Sequence, residues 1–511
     1  MNDVASLHPV AVRIREIMSM APEQPALLFD DVWFTWRQLT ELADTLDQQL
    51  SEQHIDLRSP VALVARNRPS GVAALLGLLI KGRRPVLISP IQPPKAIVEA
   101  IQHLAVEAVL ADAEDWTPDL HRAVQASGSA GWALDQSEGV LSSTLRSVRD
   151  AALGATGLVV AEETAVVVST SGTTGTPKPI EVSWEDLRLN TAKPPRAPVG
   201  VDERPPVIQS LSTATITGLN GILRPVVASR SIALMERVDI VQWSALVKRF
   251  GLKRTGLPPA AMRSLIDSDV PRDSFRSMDG WITGSARVDA DLQLEFEENF
   301  GVPVLVAYGA TEFGGAIAAW TLEDHRKWIA TKRGSVGRAH GDVELRTVDP
   351  ETGAPLEPGQ SGLLEAMIAT RRDEGWFRTN DLAHIDEDGF IFIEGRFDDV
   401  IIRGGFKVSL GELERLFESH PDVTLAAAVG LPDPRLGEVP GVGVKVRDGA
   451  QVTSAELLTW ARELTAPYKI PTVLEIVDDF IYGPSYKVDR VELRERLTKI
   501  AAERSGAPGS E

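Results

Sequence analysis

The chain has 511 residues, 43% of them hydrophobic and 24% charged, with a formal net charge of -19. That length exceeds what one compact core serves, so a large domain with a smaller companion is expected, and the composition argues against a disordered chain. The negative charge, with no dense Lys/Arg cluster, argues against a nucleic-acid partner and leaves any anionic substrate to loop amides, a metal ion or single basic residues.

There is no cysteine, which removes disulfides, thiolate metal sites and a cysteine nucleophile; sulfur chemistry would have to enter with a substrate. The eight histidines lack paired ligand spacing such as HExxH, which argues against zinc. Early acids at the N-terminus argue against a signal peptide. The longest apolar run, Gly71 to Ile80, falls short of the roughly 20 residues of a membrane span. A cytoplasmic protein with no transmembrane segment is expected, with peripheral membrane contact left open.

From Val61 onward, VALVAR reads as a buried strand, PSGVAALLGLLIKG as a helix, PVLIS as a strand, PPKAIVEAIQHL as a helix and AVLAD as a strand. This alternation predicts an α/β fold built on a helix-covered, mainly parallel sheet. It resumes after Ala165 with VVVS, a Gly/Thr loop, a helix beginning near Trp184, and strands at VIQSL and SIALM separated by a helix. Between about Gly334 and Arg396 the turn signals DPETG, EPGQSG and DEDGF predict a β-rich subdomain. Beyond Arg396, helices at Leu410 to Ser419 and Ser454 to Leu464 with intervening strands predict a small α+β domain of about a hundred residues. The expected division is therefore 1–396 and 397–511.

The string Ser169-Thr-Ser-Gly-Thr-Thr-Gly-Thr-Pro-Lys178 follows a β-branched strand. Glycines let the main chain turn tightly and aim N–H groups at an anion, hydroxyls add donors and Lys178 adds charge, so it reads as a phosphate cradle. It lacks the GxxxxGK spacing of a P-loop, and a Gly/Thr-rich surface turn is the competing reading.

That string resembles the phosphate loop of the ANL superfamily of adenylate-forming enzymes, and the superfamily's other motifs follow in order. They are Tyr308-Gly-Ala-Thr-Glu312, Phe377-Arg-Thr-Asn-Asp381, Gly395-Arg-Phe-Asp-Asp399, Arg403-Gly-Gly-Phe-Lys-Val408 and Tyr486-Lys-Val-Asp-Arg490. Weaker echoes lie upstream in FTWRQLTELADTLDQQL and KGRRPVLISP. The chain is most similar to the acyl-CoA synthetases, the fatty-acid and aryl-acid CoA ligases.

The resemblance implies a large N-terminal domain that binds ATP and a carboxylic acid, and a small mobile C-terminal domain carrying the catalytic lysine and a loop toward coenzyme A. It implies ATP contacts from Thr170, Ser171, Gly172, Thr173, Thr174, Gly175 and Lys178. It further implies an adenine-side turn at Gly284, Ser285 and Ala286, with Tyr308 and Gly309 beside the base. Asp381 would accept the ribose hydroxyls and Arg396 would donate to the same sugar. Thr311 would reach the α-phosphate, and Glu312 would be the ligand of Mg²⁺, a cation that prefers oxygen donors. Lys487 would neutralise charge in the transition state, Asp398 would be the hinge, and Gly404, Gly405, Phe406 and Lys407 would form the CoA-side loop. Taken singly, these residues also fit solvated loop acids, structural ion pairs or core positions.

The acid pocket is expected around Thr215, Gly218, Ala310 and Gly314. Its walls are expected from Ser210 to Leu223, Thr283 to Arg287 and Ala310 to Ile317, a mostly small and apolar set that favours an aromatic, alicyclic or fatty acid over an amino acid. The chain departs from the pattern at several places: Tyr486 stands where Gly precedes the lysine, Thr215 where an aromatic or histidine gates the acid, Asn380 where Gly is usual, and Pro179-Ile180 where Gly-Val is common. The implied reaction makes an acyl-adenylate and then a CoA thioester. The alternatives are an amine acceptor, a carrier protein acting in trans, or a non-catalytic nucleotide- or acyl-binding protein on the same fold. A homodimer is one option for the assembly.

Overall fold

The computed structural model describes residues 7–92, 94–150, 158–170, 178–187, 196–284, 286–310, 315–397, 399–403, 406–433, 435–483 and 487–506. Two compact units emerge. The first comprises Met1–Arg287, Asp291–Val304 and Gly309–Gly315; the second comprises Val288–Ala290, Leu305–Tyr308 and Ala316–Glu511. Among the described residues no helix is long and apolar enough to cross a membrane.

The first unit is organised by a seven-stranded sheet in the order Ser142–Ser147, Ala130–Asp135, Ala108–Asp112, Pro60–Val64, Arg84–Ile88, Thr164–Thr170, Lys178–Ser183. Its five inner strands are parallel and both edge strands are antiparallel. Strands covered on both faces read as continuous apolar runs. Val61, Ala62 and Leu63 are accordingly fully buried. Helix Pro69–Ile80 starts on a proline and has all 12 residues buried. At Gly77 a Cβ would lie 2.8 Å from that of Ala43, so the glycine lets this helix approach helix Trp36–Glu52.

The predicted strands and helices from Val61 to Asp112 are all present, as are the strands at Val207–Gln209 and Ile232–Leu234 flanking helix Ile216–Val227. Those two strands join Pro25–Phe29 and Val32–Thr35 in a separate sheet. Strand Lys178–Ser183, antiparallel to Thr164–Thr170, was not anticipated and stands between the Gly/Thr loop and the helix expected from near Trp184, which lies outside the described residues beyond Leu187. Ile180 and Val182 suit a pleated surface, and Pro179, lacking an N–H, is tolerated on an edge. The described residues after it, Trp184–Leu187, form a turn in which Ser183 Oγ accepts from the Asp186 amide at 3.0 Å.

In the second unit, Val343–Val348, Gly362–Ile368, Phe377–Ile385 and Ile391–Arg396 form a four-stranded antiparallel sheet in chain order, the β-rich region anticipated from the turn signals. Beyond it, a five-stranded sheet containing Val400–Arg403, Phe406–Ser409, Val423–Asp433, Gly437–Val446 and Val473–Val477 carries helices Leu410–Glu418, Ser454–Leu464 and Arg490–Gly506. Two apolar clusters, one around Phe417 and Val442 and one around Leu431 and Leu497, form its core.

Candidate functional site

The hairpin of Phe377–Ile385 and Ile391–Arg396 turns at Asp386, whose Oδ1 accepts from the amides of Asp388 and Phe390 at 3.0 and 2.8 Å. Its register runs Ile385↔Ile391, His384↔Phe392, Ala383↔Ile393 and then slips, so that Leu382 faces Gly395 and Asp381 faces Arg396. Glu394 is the extra residue of this bulge, and Gly395 takes φ +151°, a conformation L side chains rarely adopt. Bulges re-aim side chains, and this one brings Asp381 and Arg396 together as cross-strand partners. Asp381 thus lies within the first strand of the hairpin.

Tyr308, on strand Val304–Ala310, donates its hydroxyl to Asp381 Oδ2 at 2.5 Å. Its ring packs against a small cluster that includes Ala318, Leu364, Ala383 and Ile391. Burial first, then the charge of Asp381 and the hydrogen bond to it, push the phenol well above its ordinary value, against smaller opposing effects of Thr379 and Arg396. Tyr308 is therefore a neutral donor throughout the physiological range. Thr379 completes the support: its Oγ1 donates to the Leu364 carbonyl at 2.8 Å and accepts from the Asp381 amide at 3.0 Å. A carboxylate has about four lone-pair sites, so Asp381 can accept from a sugar diol beside Tyr308.

In the first unit, the two antiparallel strands set Thr170 opposite Lys178, which closes the ends of the Gly/Thr loop; Ser171, Gly172, Thr173, Thr174 and Gly175 lie outside the described residues. Gly284 ends strand Gly280–Gly284, and the preceding Thr283 donates to the Leu257 carbonyl at 2.9 Å. Ala286 is exposed, and Ser285 is not among the described residues. Thr215 is the N-cap of helix Ile216–Val227: its Oγ1 accepts from the Gly218 amide at 3.1 Å and donates to the Ser212 carbonyl at 2.8 Å. A Cβ on Gly218 would sit 2.0 Å from that carbonyl, so only glycine fits. Gly309 and Ala310 end strand Val304–Ala310; Thr311, Glu312 and Gly314 lie outside the described residues.

In the second unit, Gly404, Gly405 and Asp398 are likewise outside the described residues. Phe406 opens strand Phe406–Ser409, where Lys407 pairs with Ile402, and its exposed ring stacks on Tyr468 at 4.7 Å. Lys487 is exposed, and its carbonyl accepts from the Gly483 amide at 2.8 Å. Three residues on, Arg490 donates to Asp399 at 2.7 Å and Glu414 at 2.8 Å, joining the lysine's segment to the residue that precedes strand Val400–Arg403 and to helix Leu410–Glu418. Sequence reasoning did not single out Thr379, Arg490 or Glu414. Thr379 and Arg490 sit inside quoted motifs, which was the available signal; Glu414 gave none.

A parallel sheet covered by helices, an antiparallel β-rich sheet and a further α+β region define a protein of the α/β class. Within that class the chain belongs to the AMP-binding enzyme family: residues 14–366 match the family itself and residues 412–481 its C-terminal domain. It is a member of the ANL superfamily and is acyl-CoA synthetase-like.

Among its relatives is 4-coumarate--CoA ligase-like 5 of Oryza sativa subsp. japonica, 29% identical over 69% of this chain and 66% of that protein. Another is 2-succinylbenzoate--CoA ligase of Geobacillus kaustophilus, 30% identical over 66% of this chain and 70% of that one. The match thus spans just under two thirds of the rice relative. ATP-bound MatB from Rhodopseudomonas palustris shares the fold with a TM-score of 0.76 at 24% identity, over 96% of this chain and 99% of that one. Amide bond synthetase McbA from Marinactinospora thermotolerans shares it with a TM-score of 0.74 at 23% identity, over 96% and 100%.

Proposed function

We propose that this chain joins a carboxylic acid to coenzyme A in two half-reactions driven by MgATP. The observation that carries the reading is the Asp381–Arg396 pair, backed by the Tyr308 phenol, on a chain of the AMP-binding family. In the first half-reaction a carboxylate oxygen attacks the α-phosphorus and the bond to pyrophosphate breaks, giving acyl-AMP. In the second, the CoA thiol gives up its proton, its sulfur attacks the acyl carbon and AMP leaves.

Asp381 and Arg396 hold the ribose, Tyr308 and the Gly284–Ala286 turn flank the adenine, and the loop from Thr170 to Lys178 holds the phosphates. Thr311 contacts the α-phosphate and Glu312 binds the magnesium of MgATP. Lys487 neutralises the charge that develops between carboxylate and α-phosphate, a case of positioning plus electrostatic stabilisation. The functional boundary falls at 396/397, and rotation about Asp398 exchanges Lys487 for the Gly404 to Lys407 loop between half-reactions. The acid is an aromatic, alicyclic or fatty acid bound near Thr215, Gly218, Ala310 and Gly314, a choice supported by the acids named in the rice and Geobacillus relatives. An amine acceptor is the second reading, favoured by the fold shared with an amide bond synthetase.

The test is mass spectrometry of products from the full chain incubated with MgATP, CoA and a panel of carboxylic acids, with Lys487→Ala alongside. Acyl-CoA that disappears in the variant is the expected result. Acyl-AMP with no thioester moves the reading to the amine or carrier acceptor. ATP binding with no product from any acid favours the non-catalytic alternative.

A further inference from the structure

Asn67 follows strand Pro60–Val64 and precedes helix Pro69–Ile80, at the carboxyl end of the parallel sheet, where α/β proteins place their ligand crevices. It is a buried polar residue, 3% exposed. An asparagine amide has two donor hydrogens and an oxygen with two lone pairs. All four are used. Nδ2 donates to the carbonyls of Leu211 at 2.9 Å and Met235 at 3.1 Å, and Oδ1 accepts from the Thr213 amide at 3.0 Å and hydroxyl at 2.7 Å. Rotating the amide by half a turn would set donors against the Thr213 amide and oxygen against two carbonyls, so a single orientation is selected.

The neighbours of Asn67 act on the same target. Arg66 Nη1 and Arg68 Nε both donate to Glu236, the residue after Met235, at 2.5 and 2.9 Å. From the other side, Gln209 Nε2 donates to the carbonyls of Leu211 at 2.6 Å and Gly218 at 3.2 Å. The segment has no slack: a Cβ on Gly221 would lie 2.0 Å from Gln209 Oε1, as tight as the approach at Gly218. Asn67 thereby ties the strand that ends at Val64 to the segments that follow Val207–Gln209 and Ile232–Leu234, two strands of a different sheet.

We propose that Asn67 is a positioning residue for acid selectivity: it clamps the Leu211–Gly218 segment, which carries Thr215 at the place of the acid gate. This inference rests on the functional reading above. A clamped segment presents one pocket wall and discriminates between acids; a loosened one accommodates a wider set. Asn67 touches no reacting atom and acts only through the backbone it holds.

The experiment compares Asn67→Ala with the wild-type chain in kcat/KM for the largest and smallest acids accepted, with KM for ATP and with amide hydrogen exchange. The expected result is a change of about tenfold in the ratio between acids, the scale on which an apolar pocket discriminates. KM for ATP stays within about twofold, a shift too small to signal lost nucleotide contacts, and faster exchange is confined to residues 210–218. A uniform fall in kcat for every acid, an unchanged ratio, or faster exchange throughout the sheet would overturn it. If Asn67→Ala does not fold, Thr213→Val removes one of the four bonds at nearly constant volume and must move the ratio in the same direction by a smaller factor. A wild-type chain that makes no product from any acid sinks the functional reading and the selectivity claim together. That outcome is distinct from an active wild type whose acid ratio ignores the substitution, which sinks this inference alone.

Discussion

Two regions of the molecule set a guanidinium against a carboxylate, to different ends. In the first unit Glu236 receives both Arg66 and Arg68, which also reach Asp115, Asp112 and Glu114, so each charge is met by another charge of the framework. Burial raises the Glu236 carboxyl, but the hydrogen bonds and charges of Arg68 and Arg66 outweigh it and hold the group below its ordinary value. In the second unit Asp381 faces Arg396 across a bulge and takes its hydrogen bond from an uncharged phenol. A carboxylate satisfied by several guanidinium donors serves the architecture. One held in place by a neutral donor keeps acceptor capacity for a ligand.

The comparison can be sharpened from both sides. The largest effect is expected at Lys487: replacing it by alanine should lower ATP–pyrophosphate exchange by about 10²–10³-fold, the scale of losing one preorganised electrostatic group, with the melting temperature unchanged. At the framework pair, Glu236→Ala should leave Arg66 and Arg68 short of a partner. Breaking a buried pair by removing one member costs about 3 kcal/mol or more; partial exposure here, 24% for Glu236, reduces the expected loss to about 2 kcal/mol in denaturant unfolding. If Glu236→Ala instead abolished ATP binding in a stably folded chain, the division between framework and site charges would fail.

Asp381→Asn keeps the shape and removes the charge. It should raise KM for ATP by about tenfold, as the difference between charged and neutral hydrogen bonds suggests, and leave unfolding nearly unchanged. Tyr308→Phe should be smallest at neutral pH, about 1 kcal/mol for one hydrogen bond.

Two pH limbs separate the regions further. Glu236 has a folded value below its ordinary 4.5, so its contribution is present above that pH and is lost as the pH falls through the folded value. Glu236→Ala should flatten the acid limb of melting temperature against pH. Tyr308 is raised above its ordinary 10.0, so its contribution is present below pH 10 and is lost on further rise, and Tyr308→Phe should flatten the alkaline limb.

Much of this was readable in advance at the level of elements. VALVAR, PSGVAALLGLLIKG and PVLIS are a strand, a helix and a strand because their apolar runs match the periods of buried elements. The Gly/Thr loop shows where such reading stops: Lys178–Ser183 is a strand because it pairs with Thr164–Thr170, and a six-residue stretch carries little intrinsic preference of its own. At the site, Tyr308, Asp381 and Arg396 could each be named from motif resemblance, but not the contacts among them. Thr379 went unnoticed because a threonine in a strand carries no sign that its hydroxyl supports the next carboxylate but one.

By itself, then, the sequence determined the alternating elements, the β-rich stretch before Arg396, the α+β region after it and the family. Those signals are local, set by periodicity, turn chemistry and short motifs within a dozen residues. Only the tertiary structure decided that Tyr308 donates to a carboxylate 73 residues away and that Asn67 holds a carbonyl 144 residues away. A buried polar group must find its partner wherever packing brings one, and no local pattern records where that will be.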